Sequence, residues 1–262
     1  MISKRSLHAI RILLVAGAIA ALALTACGSD SPTTSAAGSA PASTSAGTTA
    51  APVATTEVTP KAASPDEKTA EAALLTGSDV GDGWSVVDAK WDFPNSAALA
   101  ATIPECADFV DLVFGGGARH GVGVSRTLGS DTDLVFTYSV VFPNADDAAA
   151  MIAAVGSPAF DTCWIKYNEV AAVKMPFGVS EASYTTNAPP NLTFTADSSA
   201  VKSLDGSVNI GGTEVHDTCV CVFAQAGRGV VEVHSPAGAL DPATRSAVVQ
   251  AAIDHMRSAL SG

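Results

Sequence analysis

Basic side chains are scarce in this sequence. The 262 residues include 14 Lys and Arg against 26 Asp and Glu, and three of the 14 but none of the 26 fall within the first 26 positions. Beyond them stand 11 basic against 26 acidic side chains, a formal net charge of −15. Nucleic acid and anionic headgroups both call for basic patches, so the balance argues against docking on either. Catalytic signatures are absent as well. There is no GxSxG elbow, no HExxH and no phosphate loop, because GGGARHG lacks the lysine and the preceding strand. Ser199-Ala200-Val201-Lys202 matches SxxK, but no KTG accompanies it. Asp131, Asp133, Asp146 and Asp147 lack calcium-loop spacing and read as a turn and a helix N-terminus. His120, His216, His234 and His255 show no ligand spacing. The expectation is a protein that is not an enzyme, with no catalytic residue, no cofactor and no metal.

The apolar run Ile12 to Leu24 is short of the ~20 residues that span a bilayer. Lys4, Arg5 and Arg11 stand before or at its start and small residues follow, the pattern of a signal peptide over residues 1–26. Leu24-Thr25-Ala26-Cys27 resembles the lipobox of bacterial lipoproteins. The resemblance implies cleavage after Ala26 and a diacylglyceryl thioether on Cys27, with further acylation such as palmitate giving the several chains that stable anchoring requires. The remaining chain is then expected on the extracytoplasmic face of the cell membrane. Residues 27–63 comprise this cysteine and a Ser/Thr/Ala/Pro-rich stretch that cannot bury a core and reads as a disordered tether. Residues 64–262 are long enough for one α+β domain or for two small halves sharing a sheet.

Four cysteines remain: Cys106, Cys163, Cys219 and Cys221. An even count outside the cytoplasm favours disulfides, with three connectivities open and free buried thiols as a further alternative. His216, Cys219 and Cys221 offer an alternative soft-metal set, but a structural zinc site wants four ligands. On a strand, residues i and i+2 have Cα atoms ~6.6 Å apart, close to the ~6.8 Å limit of disulfide reach. A Cys219–Cys221 bridge would therefore need strain or a bulge.

Along the domain, Ser64, Pro65 and Glu67 read as N-cap, first-turn proline and capping-box acid of a short helix with Ala70, Ala73 and Leu74 on one face. A strand is expected over Trp84 to Trp91, and a helix over IPECADFVDLVF with Cys106, Phe109, Val110 and Val113 on one stripe. GVGVSRTL and DLVFTYSVVF read as paired strands, followed by a helix capped by Asn144, with Cys163 and Trp164 just past it. YNEVAAVKM, EASYTT and LTFTA read as strands, as do TEVHDTCVCVFAQ and RGVVEVHS, joined by a turn at Ala226-Gly227. Asp241-Pro242 opens a long helix with Val248, Ala252, Met256 and Leu260 on one face. Each half ends in an antiparallel pair followed by a helix. The fold class is α+β, an antiparallel sheet with helices packed on it, expected on one face.

LLTGSDVGDGW, PECADFVDL, VVFPNADDAAAMIAAV with FDTCW behind it, and CVFAQAGRGVVEV plus its helix occur in that order. Together they resemble actinobacterial surface lipoproteins of the PknH-like extracellular sensor type. The resemblance implies an antiparallel sheet carrying helices, a cleft for an unknown ligand, and two disulfides. It implies a Cys106–Cys163 pair and matches Cys221 to a family cysteine, whereas Cys219 departs from the pattern; Cys219 with Cys221 is then the remaining pair. The functional expectation is a lipid-anchored, non-catalytic binding or sensing module for a small molecule or envelope component. The alternatives are a structural or interaction protein of the envelope, a metal-binding lipoprotein, and an enzyme of unrecognised site. Trp84, Trp91 and Trp164 fit core or cleft equally.

Overall fold

The computed structural model describes residues 63–87, 101–107, 121–174 and 178–262. Its first helix, α1 (Pro65–Ala72), carries the full capping box: Ser64 Oγ accepts from the Glu67 N–H, and the Glu67 carboxylate accepts from the Ser64 N–H. One turn of helix follows, α2 (Gly77–Val80), and then a two-residue strand, β1 (Ser85–Val86). The rest of the strand expected up to Trp91 lies outside the described residues. So does most of the expected Cys106 helix, of which a 3₁₀ turn at Pro104–Cys106 is described.

The strands β2 (Val122–Gly129) and β3 (Leu134–Val141) lead into α3 (Ala145–Val155), whose N-cap Asn144 accepts from the Asp147 N–H. Contrary to expectation, the chain re-enters a helix at once, α4 (Pro158–Lys174), bent by 71° from α3. Cys163, Trp164 and the YNEVAAVK run are therefore helical. Ser157 supplies the local cause, since its Oγ accepts from the Phe160 N–H ahead of a first-turn proline. This repeats the Ser-Pro start of α1.

The second half is a meander: β4 (Val179–Asn187), β5 (Ser198–Ile210), β6 (Thr213–Ala226) and β7 (Gly229–Pro236), closed by α5 (Pro242–Ser261). Seven strands form one sheet in the order β1-β2-β3-β7-β6-β5-β4, and every pair is antiparallel. Gly211 and Gly212, with φ of 58° and 84°, make the two-residue β5–β6 turn. That left-handed backbone suits glycine. The segment LTFTA is not a strand. Its backbone bonds go to α5, where the Thr193 N–H donates to Ser246 Oγ (3.1 Å) and the Thr195 N–H to Gln250 Oε1 (2.8 Å), while Leu192 and Phe194 pack on the core.

Helices cover both faces of this sheet rather than one. Cys219, Cys221 and Phe223 of β6 join the core formed with α3 and α4, whereas the alternate residues Val220, Val222 and Ala224 join the core formed with α1 and α5. β3 behaves likewise, with Leu134 and Phe136 on the first side and Val135 and Val141 on the second. Central strands that are apolar on both faces leave neither face to water, so each needs its own helical layer. Burial of each Val, Leu or Phe among them contributes roughly 1.5–3 kcal/mol. Trp164 belongs to the first core at 7 % exposure, and Trp84 packs partly buried against the second.

Candidate functional site

One disulfide is formed, between Cys106 and Cys163, with Cα atoms 5.5 Å apart. It joins the 3₁₀ turn to α4 inside the first core. The second pairing does not form: Cys219 and Cys221 are both free and buried. The reason is the regularity of β6, which pairs continuously with β5 and β7 and offers no bulge to draw positions i and i+2 together. Cys27 lies outside the described residues.

The expected partner His216 is exposed and, three residues from Cys219, stands on the opposite face of β6. The histidine that does meet the thiols is His234 on β7, directly opposite Cys221. Cys221 Sγ lies 2.8 Å from His234 Nδ1, and one donor atom from each of Cys219, Cys221 and His234 falls within 4.8 Å of the others. Burial pushes the Cys221 thiol well above its ordinary range, with the Cys219 thiol beside it acting the same way. Burial also holds His234 down to about 3, so its imidazole is neutral at any ordinary pH. The Phe136 ring meets the imidazole edge-on at 6.2 Å.

Two further ionisable groups share this face. Glu232 is 3 % exposed, and its burial raises the carboxyl to about 8. Asp217 is raised to about 6 by burial, against the opposing effect of a hydrogen bond from Tyr184 Oη (3.0 Å). Tyr184 reaches it across Gly206, the cross-strand neighbour of both residues, where any Cβ would strike the tyrosine ring. Tyr184→Phe leaves Asp217 without that donor, and its other oxygen has no partner among the described residues. The expected cost is roughly 1–3 kcal/mol at pH 7, where the carboxylate is charged. The loss is smaller at pH 5, and urea denaturation at both values measures it.

Behind the thiols, on the opposite face, Arg245 of α5 is 2 % exposed and donates to Ser235 Oγ and to the Pro236 and Ala237 carbonyls at 3.1–3.3 Å. Its guanidinium favours the charged form of Cys221.

A separate surface feature lies at the β1–β2 end of the sheet. A groove of 670 Å³ runs between α1 and β2, lined by Glu67, Glu71, Leu74, Val86, Val124 and Arg126 among others. It adjoins a second hollow of 290 Å³ that shares Glu71, Leu74 and Arg126 and reaches His255 on α5. Arg126 is held in place by donating from Nη1 to the Leu75 carbonyl at 3.0 Å. The groove thus combines apolar walls with both signs of charge.

No family model matches the chain, and no curated protein matches it. Among solved structures, it is similar to the extracellular domain of PknH from Mycobacterium tuberculosis, at 13 % identity and a TM-score of 0.38, over 73 % of this chain and 96 % of that one. It is also similar to a Rv0999 ortholog from Mycobacterium smegmatis, at 13 % identity and a TM-score of 0.37, over 74 % and 98 % of the two chains.

Proposed function

We propose that the chain is an extracytoplasmic lipoprotein, anchored through Cys27, whose folded domain is a non-catalytic, sensor-like binding module. The observation that carries this reading is the pairing of a lipobox-like Leu24-Thr25-Ala26-Cys27 with a formed Cys106–Cys163 bridge, because structural disulfides belong to oxidising compartments. The α1–β2 groove, concave and mixed in polarity, is the place such a module offers a small molecule or envelope component. The strongly displaced titratable groups, Glu232, Asp217 and His234, are buried in the sheet and away from that groove, an arrangement that favours binding over turnover.

A photo-crosslinking side chain placed at Val86, in the groove and 58 % exposed, tests this in intact cells. The expected adduct forms there and not at exposed Glu181 on β4. Cys27→Ser is expected to release the folded protein from the membrane fraction. Adducts at Glu181 alone would instead favour an interaction surface, and membrane retention of the variant would remove the anchor.

A further inference from the structure

Cys219, Cys221 and His234 form a cluster that neither the disulfide framework nor the surface groove uses. The three residues are 5 %, 1 % and 1 % exposed. We propose that Cys219, Cys221 and His234 bind a single copper(I) ion in a three-coordinate site of two sulfurs and one nitrogen, built into the β6–β7 ladder.

The donors select for softness. Two thiolates and an imidazole suit copper(I) or zinc and exclude the hard ions, which take oxygen. Ligand number separates the first two. Among the described residues the cluster holds three donors and no carboxylate, whereas a closed zinc site takes four. Charge makes the same choice. Binding releases one proton from each thiol, leaving two negative sulfurs around one positive ion and a net charge of −1. Arg245, buried on the other face and bonded to Ser235 beside His234, offsets that single charge across the sheet. Zinc would instead leave the set neutral and the buried guanidinium without a charge to offset it. No electron is transferred, because the metal enters as copper(I).

The geometry requires little rearrangement. Metal bonds of about 2.0–2.3 Å set donor separations of about 3.5–4 Å, between the 2.8 Å of the Sγ···Nδ1 contact and the 4.8 Å limit of the cluster. With Nδ1 on the ion, the proton rests on Nε2, which is buried and has no partner among the described residues. The continuous pairing of β6 keeps the thiols from closing on each other, so the same rigidity that prevents a bridge preserves a metal clip.

The test refolds the chain from Cys27 onward, anaerobically with copper(I), against a copper(I)-specific chelator and with zinc as a competitor. The expected result is one copper per chain retained through gel filtration, two protons released per ion, and an X-ray absorption spectrum with two sulfur neighbours and one nitrogen. Cys219→Ser and His234→Gln are each expected to weaken retention at least as much as the roughly 10–100-fold typical of outer-shell changes. The wild-type absorption spectrum reads the coordination directly, so the proposal stands or falls even where a variant fails to fold. Absence of retained copper, oxygen and nitrogen neighbours alone, or zinc displacing copper would each overturn it.

Discussion

Glu232→Gln is expected to gain roughly 4 kcal/mol of stability over the wild type when the metal-free proteins are taken from pH 4 to pH 8. The carboxyl titrates near 4.5 in the unfolded chain and near 8 in the folded one, because burial disfavours its charge. Between those values the native state holds a proton that the unfolded state has lost. Wild-type stability therefore falls by roughly 1.4 kcal/mol per pH unit from this group and levels off above pH 8. The amide keeps the side chain's size and never ionises, so its slope lacks that contribution. His234 acts in the opposite sense: with a folded value near 3 it adds stability as pH rises from about 3 to 6.5. Asp217 removes stability between 3.8 and about 6. Both are common to the two proteins and cancel in the difference. Urea denaturation at intervals from pH 4 to 8 measures it, and parallel curves would mean that Glu232 is not a buried acid.

Loss of the disulfide is the second large effect. Cys106→Ala with Cys163→Ala opens a loop with a sequence separation of 57 residues. Loop-closure entropy for that length amounts to roughly 4 kcal/mol at 25 °C. Native domains are stable by only about 5–15 kcal/mol, so the domain is expected to become marginal. The effect links structure to address, since a reducing cytoplasm would withhold the same contribution that the exterior permits. Chemical denaturation of the oxidised protein and the double variant reads the difference. A loss below about 1 kcal/mol would show that the bridge is incidental rather than structural.

The elements with local signatures were legible from sequence: Ser64-Pro65, Asn144 and Asp241-Pro242 mark helix starts through caps that act on their own neighbours. The failures came where distant chain decides. Strand β5, SSAVKSLDGSVNI, is polar and contains glycine, yet it is paired along its length with β6 and over much of it with β4. LTFTA alternates like a strand but satisfies its backbone on α5. The cluster turned on a single residue of register. A turn centred on Ala226-Gly227 would set Cys221 opposite Glu232. The actual turn, Gly227-Arg228 with Gly227 at φ 57°, sets it opposite His234. Sequence spacing pointed to His216 because it is near along the chain, although its position in the pleat carries it to the other face.

Peptide mass spectrometry of the protein extracted from bacterial membranes, alkylated under denaturing conditions before digestion, tests the account most directly. The expected digest holds an acylated N-terminal peptide beginning at Cys27, Cys106 linked to Cys163, and Cys219 and Cys221 alkylated as free thiols. An unprocessed N-terminus, or Cys219 and Cys221 found in disulfides, would contradict it.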